Sequence, residues 1–267
     1  KVTESTSFIC CRFEECILPE AGALVSSGNH HLLVKNTDFV NCSSKTQSGG
    51  LRKVYGSLVM ECCIFDECHG EGGNTNSYGT AFGTSDCDVV LEDITLFQCW
   101  KQASPFDDDV YALIRGTADT KGVNSSKCVS RGGNLMGYYN NVKTGASIQY
   151  IQGVGGEEYG AFGITLSKQA VSNLNIINNS FLLIFLSASN IELTVRKGCF
   201  FMNNRYDDSG TVYAFDCVSD SYPKATINAH LSTIGLEVQR CRSSAEFTKR
   251  GQTKFSPPTL LSIFIAI

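Results

Sequence analysis

Residues 10–16, Cys-Cys-Arg-Phe-Glu-Glu-Cys, return 52 positions later as residues 62–68, Cys-Cys-Ile-Phe-Asp-Glu-Cys. Midway between them, residues 36–42 read Asn-Thr-Asp-Phe-Val-Asn-Cys and keep the Phe and the last Cys. Phe13, Phe39 and Phe65 are therefore 26 apart, and so are Cys16, Cys42 and Cys68. A fixed interval of roughly 20 to 50 residues is the mark of a solenoid, in which each repeat is one structural layer. This period constrains the fold more than any other feature of the chain.

A second regularity follows each Phe-x-x-Cys: a polar stretch of variable length, then Gly and a short small-to-apolar run. Such runs are Gly22-Ala23-Leu24-Val25, Gly50-Leu51, Gly79-Thr80-Ala81-Phe82, Gly160-Ala161-Phe162 and the segment from Gly210 to Phe215. Short runs rich in β-branched and aromatic residues, bounded by Gly, Asn, Asp and Ser, read as strands and turns. No long stretch carries helical spacing. A leucine-rich repeat would show Leu-x-x-Leu-x-Leu, which is absent.

Twenty-six residues suffice for three short strands and three corners, the coil of a parallel β-helix. One coil position then stacks on itself and becomes a column. Cys11 with Phe13, and Cys63 with Phe65, share one strand face, the inward one. Cys16 and Cys68 lie three past Phe, so the alternation must break at a bend for them to face inward too. Later anchors are Leu96 with Cys99, then Cys128. Residues 148–151 and 176–179, Phe201 with Asn204, and 238–241 follow at uneven spacing. Asn at 179 and 204 fits an exposed corner or an inward Asn ladder.

Net charge is −4 with no basic run, which argues against nucleic acid as a partner. The 13 cysteines include no Cys-x-x-Cys, so neither a zinc ribbon nor a thioredoxin-type site is indicated. Stacked cysteines in adjacent coils fit the separation a disulfide needs, and they equally fit buried thiols acting as small hydrophobes. Asn41-Cys42-Ser43, Asn124-Ser125-Ser126 and Asn178-Asn179-Ser180 are N-glycosylation sequons. A start at Lys1 without a signal segment suggests a piece of a longer protein. Residues 1–245 form the repeat domain and 246–258 a polar juncture. The apolar tail 259–267 is either a last strand or, since Pro257-Pro258 sets it apart, the start of a membrane-spanning helix.

The candidate chemistry is thin. Asn36-Thr37-Asp38 spells a motif of polygalacturonases, but its partner motifs Gly-His-Gly and Arg-x-Lys are absent. Asp107, Asp108 and Asp109 with Asp119 could face a calcium ion, yet lack the spacing of a known loop and read as a solvated run. Asp207-Asp208 reads as a turn. Glu14-Glu15 and Asp66-Glu67 recur in the repeat and should point to water. His30-His31 falls in a loop. Cys63, Cys68 and His69 could supply zinc ligands, but the repeat explains both cysteines without metal. No catalytic residue, cofactor site or metal site is expected.

Phe13/Cys16, Phe39/Cys42, Phe65/Cys68 and Phe201/Asn204, with Gly22-Ala23, Gly49-Gly50-Leu51 and Gly72-Gly73, resemble the repeats of polymorphic-membrane-protein-like surface proteins. The Cys-rich form is similar to versions in protists such as trichomonads. The family's Gly-Gly-Ala-Ile segment is never intact here. The resemblance implies a right-handed, pectin-lyase-like β-helix and a single C-terminal membrane anchor. The expected fold is thus all-β: a single-stranded right-handed parallel β-helix (solenoid) of roughly nine or ten coils. The expected function is that of a non-enzymatic extracellular or cell-surface protein, a monomeric scaffold whose loops serve adhesion to a host-cell protein or glycan. A carbohydrate-active β-helix enzyme (polysaccharide hydrolase or lyase) and a stalk without a partner are the alternatives.

Overall fold

The computed structural model describes residues 2–19, 21–45, 48–70, 80–101, 111–142, 148–154, 157–165, 169–177, 179–181, 186–196, 198–201, 208–215 and 218–219. The chain falls into two compact units, Lys1–Ile234 and Gly235–Ile267, and the described residues belong to the first. Residues 238–241, the juncture 246–258 and the tail 259–267 lie outside them, as do Gly72, Gly73, Asp107, Asp108, Asp109, Asn178, Asn204 and Asp207.

Among the described residues every element is a strand, and all strand pairings are parallel. From β1 to β13 the strands form a β-solenoid of about four turns. The first layer holds β1 (Thr6–Ile9), β2 (Arg12–Glu14) and β3 (Ile17–Leu18). After β4 (Leu24–Ser27), the next layer runs through β5 (His31–Lys35), β6 (Asp38–Val40) and β7 (Ser43–Ser44). Then come β8 (Leu51–Glu61), β9 (Ile64–Asp66) and β10 (His69–Gly70). Next are β11 (Phe82–Phe97), β12 (Trp100–Lys101) and β13 (Tyr111–Ser126). Each coil has four strand segments, not the three expected, because β4 and the first part of β8, β11 and β13 form a fourth column.

The register realises the repeat. Phe39 pairs with Phe13 on one side and Phe65 on the other, and the column continues through Leu96 and Ser125. Phe13 and Phe39 stack with centroids 5.1 Å apart, and Phe39 and Phe65 at 4.6 Å. Phe65 also meets Phe82, which stacks on Tyr111. Each ring pair adds about 0.5–1.5 kcal/mol beyond its buried area. Alongside run Thr6, Leu32, Leu58, Val89 and Ala118. Phe8, Val34, Met60, Leu91 and Thr120 form another column. Together these fill the interior.

The corners explain why two inward residues can sit three apart. Glu15, Asn41, Glu67, Gln98 and Lys127 all have φ between 48 and 55°, the left-handed region. Cys10, Asn36, Cys62, Asp93 and Gly122 make a second such column, and Tyr55, Asp86 and Arg115 a third beside Gly28. One left-handed residue reverses the in-out alternation, so Phe and the Cys three later both turn inward. Most of these are not Gly, at about 1–2 kcal/mol each.

Beyond β13, parallel pairing continues through β14 (Val129–Val142), β15 (Ile148–Val154), β16 (Glu157–Thr165), β17 (Gln169–Ile177) and β18 (Ser180–Phe181). It ends with β19 (Leu186–Arg196), β20 (Cys199–Phe201), β21 (Asp208–Phe215) and β22 (Val218–Ser219). Phe82, Tyr111, Met136 and Phe162 share one column, as the near-copies around Phe82 and Phe162 suggest.

Several expectations need correcting here. Ser125 pairs with Gly153, so that layer's anchor is Gly153 and not Ile148, which pairs with Thr120. Ile176 pairs with the buried Phe200, one residue ahead of the expected Phe201. Without a Cys to fix the reading, a single-residue slip along an apolar run is invisible in sequence. Asp208 opens β21 instead of a turn, and His31 opens β5 instead of lying in a loop.

Phe39→Ala should cost about 3–5 kcal/mol, because it empties a fully buried, doubly stacked position. Phe13→Ala, in the half-buried first layer, should cost less than half as much. Chemical denaturation of both variants decides, and equal losses would contradict the layer order.

Candidate functional site: corners, outer faces and the loop edge

Eight of the ten cysteines whose side chains are described immediately follow a left-handed corner residue: Cys11, Cys16, Cys42, Cys63, Cys68, Cys87, Cys99 and Cys128. The other two, Cys10 and Cys62, are corner residues themselves and are exposed. An inward thiol after a corner reaches back across it. Cys63 Sγ donates to Glu61 O at 3.3 Å, Cys87 Sγ to Ser85 O at 3.1 Å and Cys42 Sγ to Val40 O at 3.4 Å. Thr37, after the Asn36 corner, does the same with its hydroxyl to Lys35 O at 2.9 Å. The thiols also contact the preceding layer: Cys68 Sγ lies 3.3 Å from Phe39 O and Cys99 Sγ 3.4 Å from Phe65 O. A carbonyl has two lone pairs, so these weak donors add to the strand ladder without displacing it.

Cys16, Cys42, Cys68, Cys99 and Cys128 thus form one inward column, linked by Ser43 N–H to Cys16 O and by equivalent bonds at His69, Trp100 and Val129. All are free thiols, so of the two sequence readings the structure takes the buried hydrophobe. Burial pushes Cys63 up to about 12 and Cys87 up to about 11, and it raises Cys99 as well. A protonated, buried thiol is a poor nucleophile and a poor metal ligand. Asn179 is buried as well, which settles it as inward-facing.

The possible zinc set does not converge. Cys63 and Cys68 turn into the core, whereas His69 faces outward and stacks on Trp100 with centroids 4.5 Å apart. Among the described residues no three His, Cys, Asp or Glu side chains gather as a metal site. Asp119 lies exposed on β13.

The outer faces carry polar ladders. On the β5–β8–β11–β13 face, Lys35 pairs with Glu61, and Lys121 Nζ lies 3.0 Å from Glu92 Oε1. His31 Nδ1 lies 2.8 Å from Ser57 Oγ, and Thr117 Oγ1 donates to Asp88 Oδ1 at 2.6 Å. On the β2–β6–β9 face Arg12 contacts Glu14 at 3.0 Å and Asp38 at 3.7 Å. Its guanidinium holds Glu14 below the usual carboxylate range, while burial pushes Asp38 and Asp66 up. Register places Val40 between Glu14 and Asp66, so the two acidic pairs are separated by a layer and do not stack directly.

A polar cluster at the third corner escaped the sequence reading. Lys53 is fully buried, in register between Ser26 and Thr84, and its Nζ donates to Gly28 O at 2.9 Å. Ser26 Oγ lies 2.7 Å from His30 Nε2. Gly56, at φ 79°, lets the chain pass there: an added Cβ would meet His30 O at 2.4 Å. Burial lowers the Lys53 pKa, and burial together with Lys53 lowers that of His30. The only sequence signal was the hydrophobic-in alternation, which gives no warning of an inward lysine.

From β3 to β13 the large variation in coil length falls at one edge. The stretches between the third and fourth segments are residues 19–23, 45–50, 71–81 and 102–110, while β8, β11 and β13 keep one register through the rest of the coil. Later layers shift as well between Ile114 and Gly116 and between Ala188 and Glu192. The segments entering this edge present Ile17 at 67% exposure, Trp100 at 40%, and His69. Lys127 Nζ sits 5.6 Å from the Phe97 ring nearby. This edge is the candidate interaction site.

In the native protein an alkylating reagent should label Cys10 and Cys62 first and spare Cys42, Cys63, Cys68, Cys87, Cys99 and Cys128 until denaturant is added. Peptide mapping reads each site, and native labelling of Cys68 or Cys99 would contradict the inward column.

Lys53 binds its proton more weakly folded than unfolded, so the unfolded chain carries more protons between the two pKa values and stability rises with pH there. That rise, ending near the ordinary lysine value of about 10.4, should vanish in Lys53→Met. Unfolding free energies of both proteins against pH test it.

No protein-family model matches the chain, and no curated protein sequence matches it.

Proposed function

We propose that this is a non-enzymatic protein of the cell surface or extracellular space, a right-handed β-helix of about nine layers that displays loops for adhesion. The observation carrying the reading is the loop edge: from β3 to β13 the coil-length changes gather between the third and fourth segments while β8, β11 and β13 keep one register through the rest of the coil. Per-repeat insertions on one side of a solenoid often mark its binding side. A rigid layered frame below variable loops binds through area and shape, so it needs no reactive group. The partner would be a host-cell protein or glycan, met by the stretches at this edge and by the exposed Ile17 and Trp100 and the half-buried His69 beside them.

The layer count is supported by the anchor column, which register extends from Ser125 through Gly153, Ile176 and Phe200 to Ser219. The Phe-x-x-Cys unit also keeps its resemblance to polymorphic-membrane-protein-like repeats, and with it the proposal of a C-terminal anchor and a monomeric scaffold.

A second reading, a carbohydrate-active enzyme, is favoured by one observation: Arg12, Glu14 and Asp38 meet on the outer β2–β6–β9 face, with Asp66 close enough to act on Arg12. Surface ion pairs of this kind are common in scaffolds, so the loop reading stands first.

Replacing residues 71–79 and 102–110 with short Gly-Ser links should leave cooperative unfolding in place, since loop closure depends weakly on length. Binding to cells or a glycan array should fall about tenfold or more. Undiminished binding would reject the loop reading, and sugar release from polysaccharide that is lost in Asp38→Asn would favour the second.

A further inference from the structure

We propose that Asn41 is an N-linked glycosylation site and that the coil geometry selects it over Asn124. The proposal rests on the extracellular reading, because only a chain entering a secretory compartment meets the modifying enzyme. Both residues satisfy Asn-x-Ser. What separates them is where each lies once the coil has closed.

Asn41 is a corner residue with φ 48°, one of the few types that adopt the left-handed region readily. Its backbone is fixed by donation of N–H to Asp66 O at 2.8 Å, and the residue is exposed. Its column neighbours Glu15 and Glu67 are exposed as well. Cys42 and Ser43, which complete the sequon, turn into the coil behind it. A sugar on Asn41 therefore grows away from the solenoid and disturbs neither the ladder nor the interior.

Asn124 lies within β13, in register with Thr95 of the layer before and Gln152 of the layer after. Its Oδ1 is buried without a hydrogen-bond partner, and Ser125 is turned into the core. Asn124 continues the outer column of Arg12, Asp38, Ile64 and Thr95, and a sugar on its amide would start from a half-buried side chain lying against that sheet face. Modification happens on the extended chain, when both asparagines are open, so the difference shows in which modified chains can fold.

In the reaction Nδ2 of Asn41 loses a proton and forms a bond to C1 of the first N-acetylglucosamine. The donor is a lipid-diphosphate-linked oligosaccharide, and the lipid diphosphate leaves. A bulky solvated group at the β6–β7 corner would then leave the loop edge as the open docking side.

The test expresses the chain behind a supplied secretory leader in a eukaryotic cell and recovers the secreted protein. Peptide-N-glycosidase F in ¹⁸O-water marks each formerly glycosylated asparagine. The expected result is a mark on Asn41 and none on Asn124, with one glycan step lost on a gel in both Asn41→Gln and Ser43→Ala. An unmarked Asn41, or Asn124 marked to the same extent, overturns the proposal. The protein from its own source separates the two claims: Asn41 unmarked there but marked in the leader-driven chain refutes the extracellular reading and leaves the site standing.

Discussion

The structure depends on a single backbone event, the left-handed residue at a corner. A parallel coil must turn sharply several times per layer, and each turn would throw the next side chain to the wrong face if alternation simply continued. One residue with positive φ absorbs the turn and resets the phase. That is how Phe39 and Cys42 both come to face inward with Val40 and Asn41 between them. Because the corners stack, the strain of one layer recurs in the next, and only the summed burial of the columns between them offsets it.

The same event accounts for the cysteines. The position after a corner turns a side chain into a converging interior, where a narrow one packs well and one able to donate to the carbonyl just before the turn gains a bond. Cys satisfies both, and Thr37 shows that a hydroxyl serves equally well. Layers also use Ile94 and Val123 at this position, so the donor is an addition and not a requirement. The described cysteines that follow a corner are thus a packing solution to a repeated turn, and among the described residues they neither pair nor gather around a metal.

Much of this was legible in the sequence wherever a Cys marked the phase. The Phe13–Phe39–Phe65 column, the inward Cys16–Cys42–Cys68 column and the need for a bend between them all follow from one interval. Legibility failed where the marker was lost: Gly153 carries no anchor side chain, and Phe200-Phe201 offers two equal candidates. The vicinal Cys10-Cys11 and Cys62-Cys63 held a further signal. Asn36, Asp93 and Gly122, all types that accept positive φ, occupy the first position of the pair in other layers. Lys53 was hidden for a different reason, since its burial follows from a carbonyl exposed at the Gly28 corner and not from any pattern along its own strand.

The division between a fixed frame and a variable edge carries the functional argument. Inward columns tolerate no change of spacing, because adding one residue within a strand would turn a whole face outward. Insertions therefore accumulate where no column is interrupted, and from β3 to β13 that place is the stretch between the third and fourth segments. Binding surface evolves where the fold permits length to vary, which makes the loop edge the natural place for recognition. The Arg12–Asp38 face lacks that freedom: its residues are bound to the register of β2, β6 and β9, so it can change in side chain but not in shape.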